Sequence, residues 1–212
     1  MRWTRTRAAW IMVANAAMWS IAGVVTRQLE SAQSFEVTFW RSLFTVLSLL
    51  VILRWVQGRG FLPRLFSAPR VLWWSGLCWA GMFTAFMVAL TLTRVAEVLI
   101  TMALGPLLSA LIARIFFKQQ IPRSTWIAIG VASVGMAWMF AEPRAEGIHE
   151  WPWGSLIVLI VPLSAAINWN LVQHAQTRGQ AVDMMPAVLI GSAFSALGTL
   201  PFAMPFQATS GD

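Results

Sequence analysis

An all-α bundle of membrane-spanning helices is the fold class this sequence predicts, and three observations predict it. Of the 212 residues, 58% are hydrophobic and only 11% charged, more apolar surface than a soluble fold can turn inward while keeping a polar exterior. The apolar residues fall into seven stretches of roughly the length, about 20 residues, that a helix needs to cross a bilayer. The fifteen Lys and Arg residues lie at the ends of these stretches, Arg41 excepted, because charge is costly in hydrocarbon.

The seven expected spans are Ala8–Val25, Phe35–Val56, Val71–Thr93, Val95–Phe117, Ser124–Ala141, Trp153–Val172 and Met184–Phe206. The first follows the basic start Arg2, Arg5 and Arg7, and Ala14-Asn15-Ala16 has the form of a signal-peptide cleavage site. Its length is nevertheless that of a span, so it is read as retained. The connections are short, and the longest, Gln57 to Arg70, is rich in Gly, Pro and Arg. No soluble domain is expected between the spans.

Lys and Arg fix the orientation when counted on alternate sides. Arg2, Arg5, Arg7, Arg54, Arg59, Arg64, Arg70, Arg114, Lys118, Arg123 and Arg178 share one side, against Arg27, Arg94 and Arg144 on the other. The N-terminus is therefore expected in the cytoplasm. Tryptophans fall at both predicted interfaces, Trp55, Trp73 and Trp74 at one and Trp40, Trp138 and Trp153 at the other, as an aromatic belt requires. Trp19, Trp79 and Trp169 lie deeper and are read as packing residues. Small residues in the fifth span (Ala128, Gly130, Ala132, Gly135) and the seventh (Gly191, Ser192, Ser195, Gly198) are expected packing seams, since lipid supplies no hydrophobic drive for helix association.

Other classes are poorly served. The basic residues are scattered, not clustered with aromatic platforms, so no nucleic-acid partner is expected. The single cysteine, Cys78, excludes an intramolecular disulfide, and His149 and His174 sit in different connections, so neither a metal nor a cofactor is expected. No Gly-x-Ser-x-Gly, His-Glu-x-x-His or paired-aspartate pattern occurs, which argues against an enzyme.

The stretch from Arg94 to Gln120 stands apart: an apolar helix with Glu97 near its start and Gly105-Pro106 in its middle. A helix surrounded by lipid gains nothing from a carboxylate and loses a backbone hydrogen bond at a proline, so both features ask for a protein-lined or wet neighbour. Glu97, Thr101, Gly105 and Ser109 recur every four residues and form one drifting stripe. This stripe is either a cavity wall or a groove for close packing. Glu97 and Arg41 lie at similar depth and are expected to pair, with Arg94 competing at i,i+3 spacing. The pair would serve as an external gate, as a proton-sensitive carboxylate or simply as a structural tie. Asn15 and Ser20 in the first span, with Ser164, Asn168 and Asn170 in the sixth, are further intramembrane polar groups that could bond across helices or meet a substrate.

An internal repeat links the two ends. Ala14 to Ser20, which includes Trp19, lies over Ser164 to Asn170, which includes Trp169, at an offset of 150 residues. A five-span unit crosses the membrane an odd number of times, so a second copy runs upside down, as in secondary transporters that bind substrate between inverted halves.

The sequence resembles the EamA-type transporters of the drug/metabolite transporter superfamily. The resemblance is carried by Ala17-Met18-Trp19-Ser20, Phe39-Trp40-Arg41, the run from Ala89 to Leu99, Leu104 to Ala110 around Gly105-Pro106, the Phe117–Ile121 connection and Val182 to Ala187. It implies a multi-pass protein of the cell inner membrane that moves a small metabolite, amino acid or drug by alternating access. It also makes Asn15, Trp19, Ser20, Glu97, Thr101, Gly105, Pro106, Ser109, Asn168 and Asn170 candidates for the cavity. The domain reading is a first five-span repeat over 1–141, an external connection over 142–152 and two spans of a second repeat over 153–212. Two departures accompany the resemblance. Gln119 and Gln120 stand where the family usually has an acidic-basic pair, and the family usually has ten spans. The alternative expectation is thus a non-transporting fragment, or a half-like module needing a partner chain such as a second copy in a homodimer.

Overall fold

The computed structural model describes residues 6, 9–18, 34–58, 60–93, 95–118, 120–141, 152–179 and 183–204. Helix α1, Ala9–Met18, belongs to one unit, and Ser34–Met204 form another. The rest of the expected first span lies outside the described residues, as does nearly all of the expected external connection.

The helices of the second unit begin and end where local chemistry dictates. Helix α2, Ser34–Gln57, stops at Gly58, whose φ of +76° suits glycine alone and whose N–H bonds back to Arg54 O at 3.2 Å. A short helix follows, α3, Phe61–Phe66, in the connection that sequence composition presents as a loop. Its i,i+4 pair Phe61 and Leu65 is buried, and that burial forms a helix which Gly60 and Pro63 alone would not suggest. Helix α4, Arg70–Leu92, starts after the extended Pro69.

The expected fourth span is divided into α5, Val95–Met102, and α6, Gly105–Ile115, by a tight turn at Ala103 and Leu104. Leu104 N–H reaches Thr101 O at 3.0 Å. Pro106 falls in the first turn of α6, where its missing N–H costs least. Helix α7 is Arg123–Ala141, α8 is Pro152–Thr177, and α9 is Met184–Ala203, capped by Asp183 Oδ1 accepting from Met185 N at 3.1 Å. Among the described residues, five segments are long and apolar enough to cross a membrane: Phe35–Gln57, Arg70–Leu90, Glu97–Ile115, Leu156–Thr177 and Met184–Ala203. Each coincides with a span expected from the sequence, and α7 occupies the place of the fifth.

Helix α2 buries polar residues and turns several large apolar ones outward. On α2, Glu36 is 1% and Ser42 3% exposed, whereas Val51 is 67% and Trp55 92% exposed. A helix that hides Glu36 and Ser42 and turns Val51 outward is suited to hydrocarbon, with the exposed Arg54 and Trp55 of its last turn suited to the interface.

Contacts set both the order and the direction of the helices. Helix α9 is flanked by α2 and α4, and α8 is flanked by α4 on one side and by α5 and α6 on the other. Phe35 meets Phe202 and Gln57 meets Asp183, so α2 and α9 are antiparallel. Gly76 lies against Ile190 and Thr84 against Ser195, so α4 and α9 are parallel. Ser75 meets Asn168 while Gly81 meets Ser164, which makes α4 and α8 antiparallel.

Helices α4 and α9 approach closely at Gly76 and Gly191. A Cβ added at Gly191 would stand 2.8 Å from Gly76 O and 3.1 Å from Ala80 N, both rigid backbone. By contrast, nothing described lies within 4 Å of a Cβ added at Gly130, Gly135 or Gly198. The expected seam on the seventh span is thus real at Gly191 and Ser195. The fifth-span glycines form none among the described residues, because Ala128, Gly130, Ala132 and Gly135 are all exposed on α7.

Replacing Gly191 by Ala should therefore push α4 and α9 apart and destabilise the protein by about 1–3 kcal/mol. Gly130→Ala should be neutral or slightly stabilising through helix propensity. Thermal unfolding in detergent micelles measures both, and an equal effect at the two sites would contradict the seam.

Candidate functional site

Helix α8 carries the polar groups on which the site is built. Its two asparagines are two residues apart and so point to different sides of a helix with 3.6 residues per turn. Asn170 faces α6, where Nδ2 donates to Ser109 O at 3.1 Å and to Ser109 Oγ at 3.0 Å, and also back to Ala166 O at 2.8 Å. Asn168 faces α4, where its Oδ1 accepts from Ser75 Oγ at 2.6 Å. Both asparagines are buried. Two residues chosen from the sequence, Ser109 and Asn170, are thereby brought into contact one turn beyond the Gly105-Pro106 break.

The second half of the Asn168 amide is unspent. Its Nδ2 is buried without a hydrogen-bond partner among the described residues, and so are Trp79 Nε1 and Ser192 Oγ. Trp79 lies one helical turn after Ser75 on α4 and on the same face. Its ring is 5.3 Å from Phe83, and the Arg41 guanidinium of α2 sits over Phe83 at 5.2 Å. A cation within a span is thus held on an aromatic surface, an arrangement worth roughly 0.5–2 kcal/mol. Trp79, read from the sequence as packing, contributes an indole N–H to this region as well as its bulk.

A third polar group lies where α2, α4 and α9 meet. Ser42 Oγ donates to Ser195 Oγ at 3.1 Å, and Thr84 Oγ1 is 2.9 Å from the same atom. Thr199 Oγ1 donates to Ser195 O at 2.7 Å. Ser42, Ser75 and Thr84 were not discernible as site residues. Serine and threonine inside a span are common, and only packing shows that Ser42, Thr84 and Ser195, from three different helices, converge.

The remaining candidates are dispersed. Glu97 stands half-buried in the first turn of α5, Thr101 is buried one turn later, and Gly105 and Pro106 open α6. Asn15 lies in α1. Trp19, Ser20 and Arg94 lie outside the described residues.

A membrane span broken at Gly-Pro, with the buried Asn170 amide one turn past the break, fits a transport fold, and the family comparison agrees. The model of the EamA-like transporter family matches residues 6–141. The chain belongs to that family. Neither a curated protein nor a solved structure matches it. As an EamA-like transporter the chain is a multi-pass membrane protein in contact with lipid, of a family that carries small molecules. Helices α1 to α7 lie within the matched stretch, whereas α8 and α9, which supply Asn168, Asn170 and Ser195, follow it.

The Asn170–Ser109 tie makes a graded test. Asn170→Leu strands the Ser109 hydroxyl and should cost about 1–2 kcal/mol, the upper range for such bonds between membrane helices. Ser109→Ala removes only one of three acceptors and should cost less than half as much. Denaturation in mixed micelles checks the ratio.

Proposed function

We propose that this EamA-like protein is a secondary transporter of the inner membrane, moving a small metabolite, amino acid or drug by alternating access. The observation that carries the proposal is the pair of buried donors, Trp79 Nε1 and Asn168 Nδ2, with no partner among the described residues. A buried donor without an acceptor costs about 1–3 kcal/mol. A fold that needed only stability would not hold two of them, one packed on the Phe83 ring that carries the in-span Arg41. A substrate passing along the Trp79 and Phe83 face of α4 would supply the acceptors and leave again, because sites of this kind must bind without trapping.

The repeat organisation follows the same proposal: a first unit over 1–141, a connection over 142–152 and part of an inverted second unit over 153–212. The pairing of α2 with α9 supports it. At the offset of 150 residues, Ser42 corresponds to Ser192 and Thr45 to Ser195. The counterpart of the bonded pair Ser42 and Ser195 at this offset, Thr45 and Ser192, is not bonded in the same way, since Thr45 Oγ1 donates to Arg41 O. Antiparallel crossing of two corresponding helices is what an inverted repeat requires. In this reading the N-terminus is cytoplasmic, Glu97 stands at the external mouth of the fourth span with Arg41 or Arg94 as its counter-charge, and Gly105-Pro106 breaks the helix that lines the path. Transport, rather than catalysis, is the activity.

The test separates function from packing. Trp79→Phe keeps the ring and removes the unpartnered N–H, so thermal stability should hold or rise while uptake in proteoliposomes, screened over a metabolite panel, falls by about tenfold or more. Undiminished transport of every substrate by the variant would sink the proposal.

A further inference from the structure

We propose that the cavity between α3 and the first turns of α4 and α9 seats the head group of an aminophospholipid, phosphatidylethanolamine, with its phosphodiester on Arg64 and its primary ammonium on Asp183. The cavity has a volume of about 170 Å3, and its lining includes Gln57, Phe61, Arg64, Leu72, Asp183 and Pro186. It is separate from the transport region, being built from a connection and from helix ends.

Three features favour this occupant. First, the cavity carries one charge of each sign, Arg64 and Asp183, on walls that are otherwise apolar apart from Gln57. An arginine fork matches a phosphodiester and stays charged at every relevant pH. Asp183 already accepts from Met185 N through Oδ1 and from Gln57 Nε2 through Oδ2, at 3.1 and 3.0 Å. Each carboxylate oxygen retains a second lone pair, so the group can still accept from a primary ammonium.

Second, the cavity stands where a head group would be. Helix α3 turns Phe61 and Leu65 into the core, with Leu53, Leu72, Val172 and Ala187. It leaves Leu62 and Phe66 exposed, and Trp55 and Trp74 nearby in the chain are exposed as well. Exposed aromatic residues beside helix ends mark the interface, where head groups lie over the hydrocarbon. Arg54 closes α2 and Arg70 opens α4 at the same end, adding to the attraction for a lipid phosphate.

Third, the charge pair discriminates. Phosphatidylglycerol offers Asp183 no cation. Phosphatidylcholine offers a quaternary ammonium with no N–H to donate. Only the primary amine satisfies the carboxylate while its phosphate meets Arg64.

The experiment titrates the full chain in detergent with phosphatidylethanolamine, phosphatidylglycerol and phosphatidylcholine of identical acyl chains, with occupancy read by native mass spectrometry. Phosphatidylethanolamine should bind about tenfold more tightly than the other two, the margin of one charge-assisted hydrogen bond. Asp183→Asn retains a capping side chain, so the variant should fold and bind phosphatidylethanolamine and phosphatidylglycerol alike. Arg64→Gln should weaken all three lipids. Thermal unfolding without added lipid confirms that both variants are folded. Equal binding of the three lipids by the unmodified chain, or undiminished phosphatidylethanolamine preference in Asp183→Asn, overturns the assignment. So does unchanged affinity in Arg64→Gln. The readout is lipid occupancy, so the result stands whether or not the transport proposal holds.

Discussion

The approach of α4 to α9 at Gly76 and Gly191 is the constraint on which the rest of the unit depends. In lipid, helices gain nothing by hiding leucine from their surroundings, so cohesion must come from close backbone contact and from polar groups with no better partner. Gly191 has room for nothing larger than hydrogen against Gly76 O and Ala80 N. That contact fixes the separation and stagger of α4 and α9, and through it the level at which Thr84 meets Ser195 and Ser42. Helix α8, on another side of α4, inherits its height from Gly81 against Ser164 and from Ser75 against Asn168.

A consequence is that the polar groups play unequal parts. The Asn170–Ser109 and Ser42–Thr84–Ser195 contacts are satisfied and hold helices together, at modest gain for each bond. Trp79 Nε1 and Asn168 Nδ2 are held in place by the same framework but have no hydrogen-bond partner among the described residues. Tight seams around them restrict how far neighbouring side chains can rearrange to meet them. A rigid wall with open donors is suited to an interaction that is made and broken, whereas a closed network is suited to permanence.

The span boundaries were legible because each is set by local chemistry: apolar length, a glycine with positive φ at the end of α2, an aspartate cap before α9. Helix α3 was not legible, because six residues containing a proline become helical only when Phe61 and Leu65 find the core formed by Leu53 and Ala187. The glycine seams were half legible. Gly191 and Gly130 look alike in sequence, and only the first has a neighbour near enough to need it. The site was partly legible for the same reason: Asn168, Asn170 and Ser109 are conspicuous inside apolar runs, while Ser42, Ser75, Trp79 and Thr84 gain significance only from what lies opposite.

By itself, the sequence determined that this chain lives in a membrane, where its spans run, that the fourth span is broken at Gly105-Pro106, and to which family it belongs. All of these follow from the order of residues along one helix at a time. Tertiary structure decided which helices touch, that Asn170 reaches Ser109 while Asn168 turns to Ser75, and that Arg41 rests on Phe83. Such pairings depend on the rotation and stagger of separate helices, and these are set jointly by small residues far apart in the chain. Periodicity along any one span carries no record of them.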